Sequence, residues 1–200
     1  MLNVVPFHQT PLPMAGSDPS VVSVLARIYQ TIEGTLPDPR LLASAAAIIG
    51  VENAGGAAIN NYNWGNLSAS DGDVWESPYY AQTGKGPEYF KAFDSQDAGA
   101  AAWWTAILTK FRSVLPFMLN ADMQGLAREL YRSSYVVAIS PNEQANYARG
   151  LQSMIRKAWA DAHKLGAQPT NVQKGSGLFL VVGTVVTSSA LLLWHSRRAA

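Results

Sequence analysis

The stretch from Ala47 to Leu67 constrains this chain more than any other. Asp38-Pro39 places a capping residue before a proline at a first helical turn, a helix-opening signal. Ala43, Ser44, Ala45, Ala46 and Ala47 then lead into Ile48, Ile49 and Val51, and the run ends on a single carboxylate, Glu52. Immediately beyond it come Gly55, Gly56 and the asparagine-rich Asn60-Asn61-Tyr62-Asn63-Trp64-Gly65-Asn66, which cannot continue a helical period. A helix over Pro39–Glu52 is therefore predicted, with small residues that let a second helix approach closely. Such a helix is central and can hold one side chain rigidly. Glu52 then sits at the rim of an apolar core. A carboxyl half in apolar surroundings has its charged form disfavoured, so its pKa rises and it can remain a proton donor near neutral pH.

The loop after Glu52 offers amides suited to sugar hydroxyls and an indole face suited to a sugar ring. An acid beside such a platform is what glycosidic cleavage requires. The same residues also fit a solvated glutamate at a helix end followed by an ordinary Asn/Gly turn, and residue chemistry alone leaves both open. Three segments carry a resemblance. Glu52 followed by Asn61-Tyr62-Asn63-Trp64-Gly65-Asn66-Leu67, then Tyr89-Phe90-Lys91-Ala92-Phe93-Asp94-Ser95, then Asn146-Tyr147-Ala148-Arg149 with Leu151 and Ile155, stand in the order found in one family. The chain resembles, from about Leu41 to Trp159, the glucosaminidase-type peptidoglycan hydrolases, relatives of lysozyme and of lytic transglycosylases.

That resemblance implies an α+β, mostly α, lysozyme-like helical domain with a small β lobe. It implies cleavage of β-1,4 glycosidic bonds between N-acetylated amino sugars of peptidoglycan, with Glu52 as the general acid. A second carboxylate would come from the β lobe, where Glu76 is the first candidate and Asp73 and Asp71 follow; all three also fit solvated turn residues. Without one, the sugar's own N-acetyl group or 6-hydroxyl completes the step. The hydroxyl route makes the enzyme a lytic transglycosylase, with Glu52 acting as acid and then as base. Asn61, Asn63 and Asn66 would orient substrate or brace the loop. Trp64, Trp75, Tyr79 and Tyr80 would stack sugar rings or fill the core of the lobe. Tyr147 matches a family aromatic near the groove, or packs on a core face.

The remaining chain fits around this centre. Residues 1–18, with Pro6, Pro11 and Pro13, read as an extended arm without the basic start and apolar core of a secretory signal. The domain is expected over 19–164. Asp18-Pro19 opens a helix in which Val21, Val22, Leu25, Ile28 and Ile32 recur at helical spacing through Glu33. The period vanishes from Ser68 to Phe93, where Val74–Tyr80 and Tyr89–Phe93 read as strands. Asp94-Ser95 starts a helix expected to run to Pro116, Asp122–Tyr131 a shorter one, and the capping box Ser140-Pro141-Asn142-Glu143 a long one to about His163.

Charged residues make up 14% of the chain against roughly 25% in a typical soluble domain. One cause lies in Gly177–Trp194, GLFLVVGTVVTSSALLLW, which carries no charge after a polar linker over 165–176. As a helix it measures about 27 Å, the short end of a membrane span. A C-terminal transmembrane helix at 177–194 is thus expected, with Trp194 at an interface. The basic tail 195–200, with Arg197 and Arg198, favours the cytoplasm or its topological equivalent for the C-terminus. The expected partners are peptidoglycan glycan strands and, through this helix, a lipid bilayer. A net charge of +1 gives no footprint for nucleic acid. With no cysteine, three scattered histidines and no glycine-rich phosphate loop, neither metal nor cofactor is expected. An anchored wall hydrolase without a leader fits the internal membrane of a bacterial virus, carried for local wall opening during entry; a bacterial cell envelope is the competing setting. The different class is a catalytically inactive, membrane-anchored saccharide-binding or structural module.

Overall fold

The computed structural model describes residues 9–10, 20–53, 59–69, 79–83, 86–136 and 140–166. They fall in one compact unit, Met1–Gln168. The expected membrane helix and basic tail, the expected linker beyond its first two residues (Leu165 and Gly166, which close the last helix), and Asp71, Asp73, Trp75 and Glu76 lie outside the described residues, as does most of the N-terminal stretch. Among the described residues no helix is long and apolar enough to cross a membrane.

The architecture is mostly helical. Helix α1 (Val21–Glu33) buries Val21, Val22, Leu25 and Ile28. Its cap is Ser20, whose hydroxyl accepts from the Ser23 N–H at 3.2 Å, so the helix starts two residues later than Asp18-Pro19 suggests. Helix α2 (Pro39–Glu52) starts and ends as the sequence predicts. The Asp38 carboxylate accepts from the Arg40 N–H at 2.8 Å, and every residue from Leu41 to Gly50 is buried. Burial on all sides marks a helix inside the domain rather than on its surface.

Helix α3 (Gln96–Leu108) is capped by Ser95, which accepts from the Ala98 N–H at 3.2 Å. It buries Trp103 and Trp104, and the Trp104 indole N–H donates to the Leu25 carbonyl at 3.0 Å. The expected continuation to Pro116 does not occur. The chain turns through a 3-10 segment, Arg112–Val114, into the short helix α4 (Leu115–Leu119). Pro116 has no N–H to donate and so fits the first turn of α4, opening a helix where the sequence suggested an end. Phe111 and Val114 remain buried across the break, which is why the apolar spacing continues through it. Helix α5 (Met123–Arg132) is capped by Asp122 through the Gly125 N–H at 2.9 Å. Helix α6 (Pro141–Gly166) begins where the Ser140 hydroxyl accepts from the Glu143 N–H.

Helix α2 packs most extensively on α6. Two glycines make the approach close: a Cβ at Gly50 would lie 3.1 Å from Met154, and one at Gly150 3.2 Å from Val51. The Ser44 hydroxyl donates across to the Met118 carbonyl at 3.0 Å, so the small residues of α2 also admit α4.

The strands are few. β1 (Gln9–Thr10) pairs antiparallel with β2 (Ile59–Asn60). β3 (Tyr79–Thr83) and β4 (Gly86–Phe90) form a hairpin with Tyr79 opposite Phe90 and Thr83 opposite Gly86. The loop after Glu52 joins its edge: the Ala69 N–H donates to the Tyr89 carbonyl at 2.9 Å, and the Lys91 N–H to the Leu67 carbonyl at 2.9 Å. The second strand ends at Phe90, short of the expected Phe93, whose N–H donates to the Asn61 carbonyl at 3.0 Å.

Candidate active site

Glu52 is the last residue of α2, brought there by an apolar helix and released by the glycine-rich sequence that follows. Tyr147 reaches it from the first half of α6, donating its hydroxyl to Glu52 Oε1 at 2.5 Å. From the other side the Asn66 amide donates to the Glu52 backbone carbonyl at 2.7 Å.

Burial of the Glu52 carboxyl raises its pKa above the ordinary value, and the hydrogen bonds from Tyr147 and Asn66 pull it down only in part. Its place at a helix C-terminus, the negative end of the helix dipole, also disfavours the charged form. Burial and the nearby Glu52 charge push the Tyr147 hydroxyl well above its ordinary range, so it stays protonated and acts as the donor.

Two further tyrosines, not singled out by the sequence, complete the surroundings. Tyr131 of α5 packs edge-on against the Tyr147 ring, centroids 5.6 Å apart. Tyr135 accepts from the Trp103 indole at 2.9 Å and donates to the Gly65 carbonyl at 3.0 Å. Burial raises both hydroxyls, and the Glu52 charge adds to the shift in each. The available signal was their spacing: two tyrosines four apart where α5 ends.

The asparagines of the loop divide by role. Asn63 is fully buried; its amide N–H groups donate to the Leu67 and Lys91 carbonyls at 2.9 and 3.0 Å, and its oxygen accepts from the Leu67 N–H at 2.8 Å. It braces the loop and offers nothing to a ligand. Asn61 is buried too, and it and Tyr62 both have φ in the left-handed region, at 46° and 55°. The Asn63 N–H donates to the Asn60 carbonyl at 2.8 Å, closing this tight turn. Asn53, not singled out by the sequence, donates to the Ile49 and Trp64 carbonyls at 2.8 and 3.0 Å, tying the end of α2 to the loop.

Trp64 requires a correction. The sequence offers it as a stacking platform, but its side chain has no exposed surface and fills the core behind the loop. A Cβ at Gly99 would fall 3.1 Å from its ring and overlap the Tyr62 carbonyl, so glycine there lets α3 approach the turn. Gly65 has a similar role, since a Cβ would overlap Trp103 and the Tyr135 hydroxyl. Tyr79 lies in β3, opposite Phe90.

A cavity of about 620 Å³ adjoins this centre and is lined in part by Asn66, Ser68, Lys91, Thr105, Thr109 and Tyr135. It shares Asn66 and Tyr135 with the surroundings of Glu52. Its hydroxyl, amide and ammonium groups are the kind that hydrogen-bond a polyhydroxylated ligand.

Comparison with known proteins finds no matching family model and no curated protein of significant sequence similarity. Among solved structures the chain is similar to a peptidoglycan hydrolase from Sphingomonas sp. A1, at 22% identity, a TM-score of 0.47, and coverage of 70% of this chain and 88% of that one. It is also similar to the glycoside hydrolase domain of FlgJ from Salmonella typhimurium, at 21% identity, a TM-score of 0.44, and coverage of 72% and 88%.

Proposed function

We propose that this chain degrades peptidoglycan by cleaving β-1,4 glycosidic bonds between N-acetylated amino sugars, with Glu52 as the general acid. The carrying observation is the Glu52 carboxyl: withdrawn from water at a helix end, touched by a tyrosine hydroxyl, and raised in pKa. The order of the Glu52, Tyr89–Ser95 and Asn146–Arg149 motifs supports the choice of substrate. In the reaction Glu52 gives its proton to the glycosidic oxygen as that oxygen's bond to the anomeric carbon breaks. The resulting carboxylate gains a stronger, charge-assisted bond from Tyr147. Water or the sugar's 6-hydroxyl then attacks the anomeric carbon and loses its proton to a base, Glu52 itself in the transglycosylase route.

The test incubates the full chain and its Glu52→Gln variant with purified peptidoglycan and analyses soluble products by mass spectrometry. The expected result is release by the wild type and a loss of about 10²–10⁴-fold in the variant, the usual contribution of a general acid. Anhydro ends identify a transglycosylase and reducing ends a hydrolase. Equal release by both proteins, or release by neither, overturns the proposal.

We further propose that Gly177–Trp194 anchors the chain in a lipid bilayer, a reading supported by its uncharged apolar run. The full chain should then stay with membranes through alkaline extraction; its release into the supernatant would contradict the anchor.

A further inference from the structure

A second cavity, about 570 Å³, lies between α5 and α6. Arg128 enters it from α5 and Arg149 and Arg156 from α6, with Gln124, Gln144 and Gln152 between them; no carboxylate is in the lining. All three arginines are exposed. Of the acids on the two helices, Glu129 pairs with Arg132 at 2.6 Å, Glu143 stands near enough to Tyr131 for its charge to raise that hydroxyl, and neither Glu143 nor Asp161 is in the lining. Three guanidinium groups around one concavity, with no carboxylate in its lining, favour an anion there. Arg149 already gives one N–H to the Asn146 side-chain oxygen, and the donors that remain on the three planar forks match carboxylate geometry, with the glutamine amides extending the set.

The position of this cavity narrows the ligand. Gln124, Arg128 and Tyr131 follow one another at spacings of four and three along α5, so they share one helix face. Tyr131 packs on Tyr147, which holds Glu52. The cationic face therefore runs directly into the aromatic pair beside the acid. At about 1.5 Å of rise per residue, Arg149 and Arg156 lie about 3 Å and about 14 Å along α6 from Tyr147, a span that about four residues of extended peptide, at about 3.3–3.6 Å each, would cover.

We propose that the Arg128–Arg149–Arg156 cavity binds the carboxylates of the short peptides borne by the glycan strand, so that the protein reads peptide as well as sugar. This inference rests on the peptidoglycan reading of the Glu52 site. The acidic peptides supply closely spaced carboxylates attached to the same polymer that the acid acts on, whereas a separate anion would have no reason to lie next to Glu52.

The test measures binding of the full chain, carrying Glu52→Gln to prevent turnover, by co-sedimentation with two insoluble materials. One is peptidoglycan with its peptides; the other is the same glycan with the peptides removed enzymatically. Changing Arg128, Arg149 and Arg156 together to Gln should weaken binding to peptide-bearing material about tenfold or more, most clearly at low salt, and leave binding to bare glycan unchanged. The corresponding triple Lys variant, which keeps charge and loses the planar fork, should fall between. Unfolding of both variants at the parent temperature establishes that the exposed changes leave the fold intact. An unchanged affinity for peptide-bearing peptidoglycan, or an equal loss on both materials, overturns the inference. So does arginine-dependent binding that is tighter to a phosphate-bearing wall polymer or to anionic lipid vesicles. The wild-type release assay separates the two layers. Product release with arginine-independent binding removes this inference alone; arginine- and peptide-dependent binding without product release removes the glycosidase reading and leaves the peptide site.

Discussion

The two sides of Glu52 are held by different physics. On the helical side, α2 lies against α6 where Gly50 receives Met154 and Gly150 receives Val51, and Tyr147 is positioned by ring packing against Tyr131. A polar atom there is placed by the apolar surface behind it. On the loop side, 59–69 has almost no regular structure, and side-chain amides replace the missing ladder. Asn53 and Asn63 between them make five hydrogen bonds to backbone groups, and two successive residues take left-handed φ. Apolar packing is spread over many contacts and tolerates a small loss. A buried amide satisfying three backbone groups does not, because each group left unpaired carries a desolvation cost.

The contrast can be broken first at Asn63. Asn63→Ala strands the Leu67 N–H and takes one donor each from the Leu67 and Lys91 carbonyls, and should lower unfolding stability by about 2–4 kcal/mol, measured by urea denaturation. A cost under about 1 kcal/mol would mean that the loop is braced by something other than this amide. A smaller change sharpens the helical side. Tyr147→Phe keeps the ring against Tyr131 and should cost about 1 kcal/mol in stability, yet lower turnover roughly tenfold. Because the Tyr147 hydroxyl lowers the Glu52 pKa, its removal should also move the alkaline limb of the pH–rate profile upward. Unaltered turnover and an unaltered limb would reduce Tyr147 to a packing residue.

This division also explains what the sequence disclosed. Helix α2 was legible to the residue because Asp38-Pro39 and the glycines after Glu52 are local signals, and α5 and α6 carried comparable caps at Asp122 and Ser140. The break after Leu108 was hidden because Phe111 and Val114 stay buried through the 3-10 segment and preserve a helical spacing. Around the site, Glu52 was visible as the single carboxylate closing the apolar run of α2 ahead of the asparagine-rich turn. The direction of Trp64 was not, since an indole in an Asn/Gly turn faces ligand or core according to what packs behind it, here α3 with Gly99. Of Tyr135 the sequence showed only its spacing of four from Tyr131, because its partners, Gly65 and Trp103, are distant in sequence.

The chemistry proposed for this fold depends on the protonation of Glu52. Because its folded-state pKa is raised, protonated Glu52 contributes stability that is fully present below the unfolded value and is lost as pH rises through the folded value. The direct measurement is an NMR titration of the Glu52 side-chain carboxyl carbon, assigned by its disappearance in Glu52→Gln. A midpoint clearly above 4.5, moving higher still in Tyr147→Phe, is the expected result. A midpoint at or below 4.5 would contradict a proton-donating Glu52.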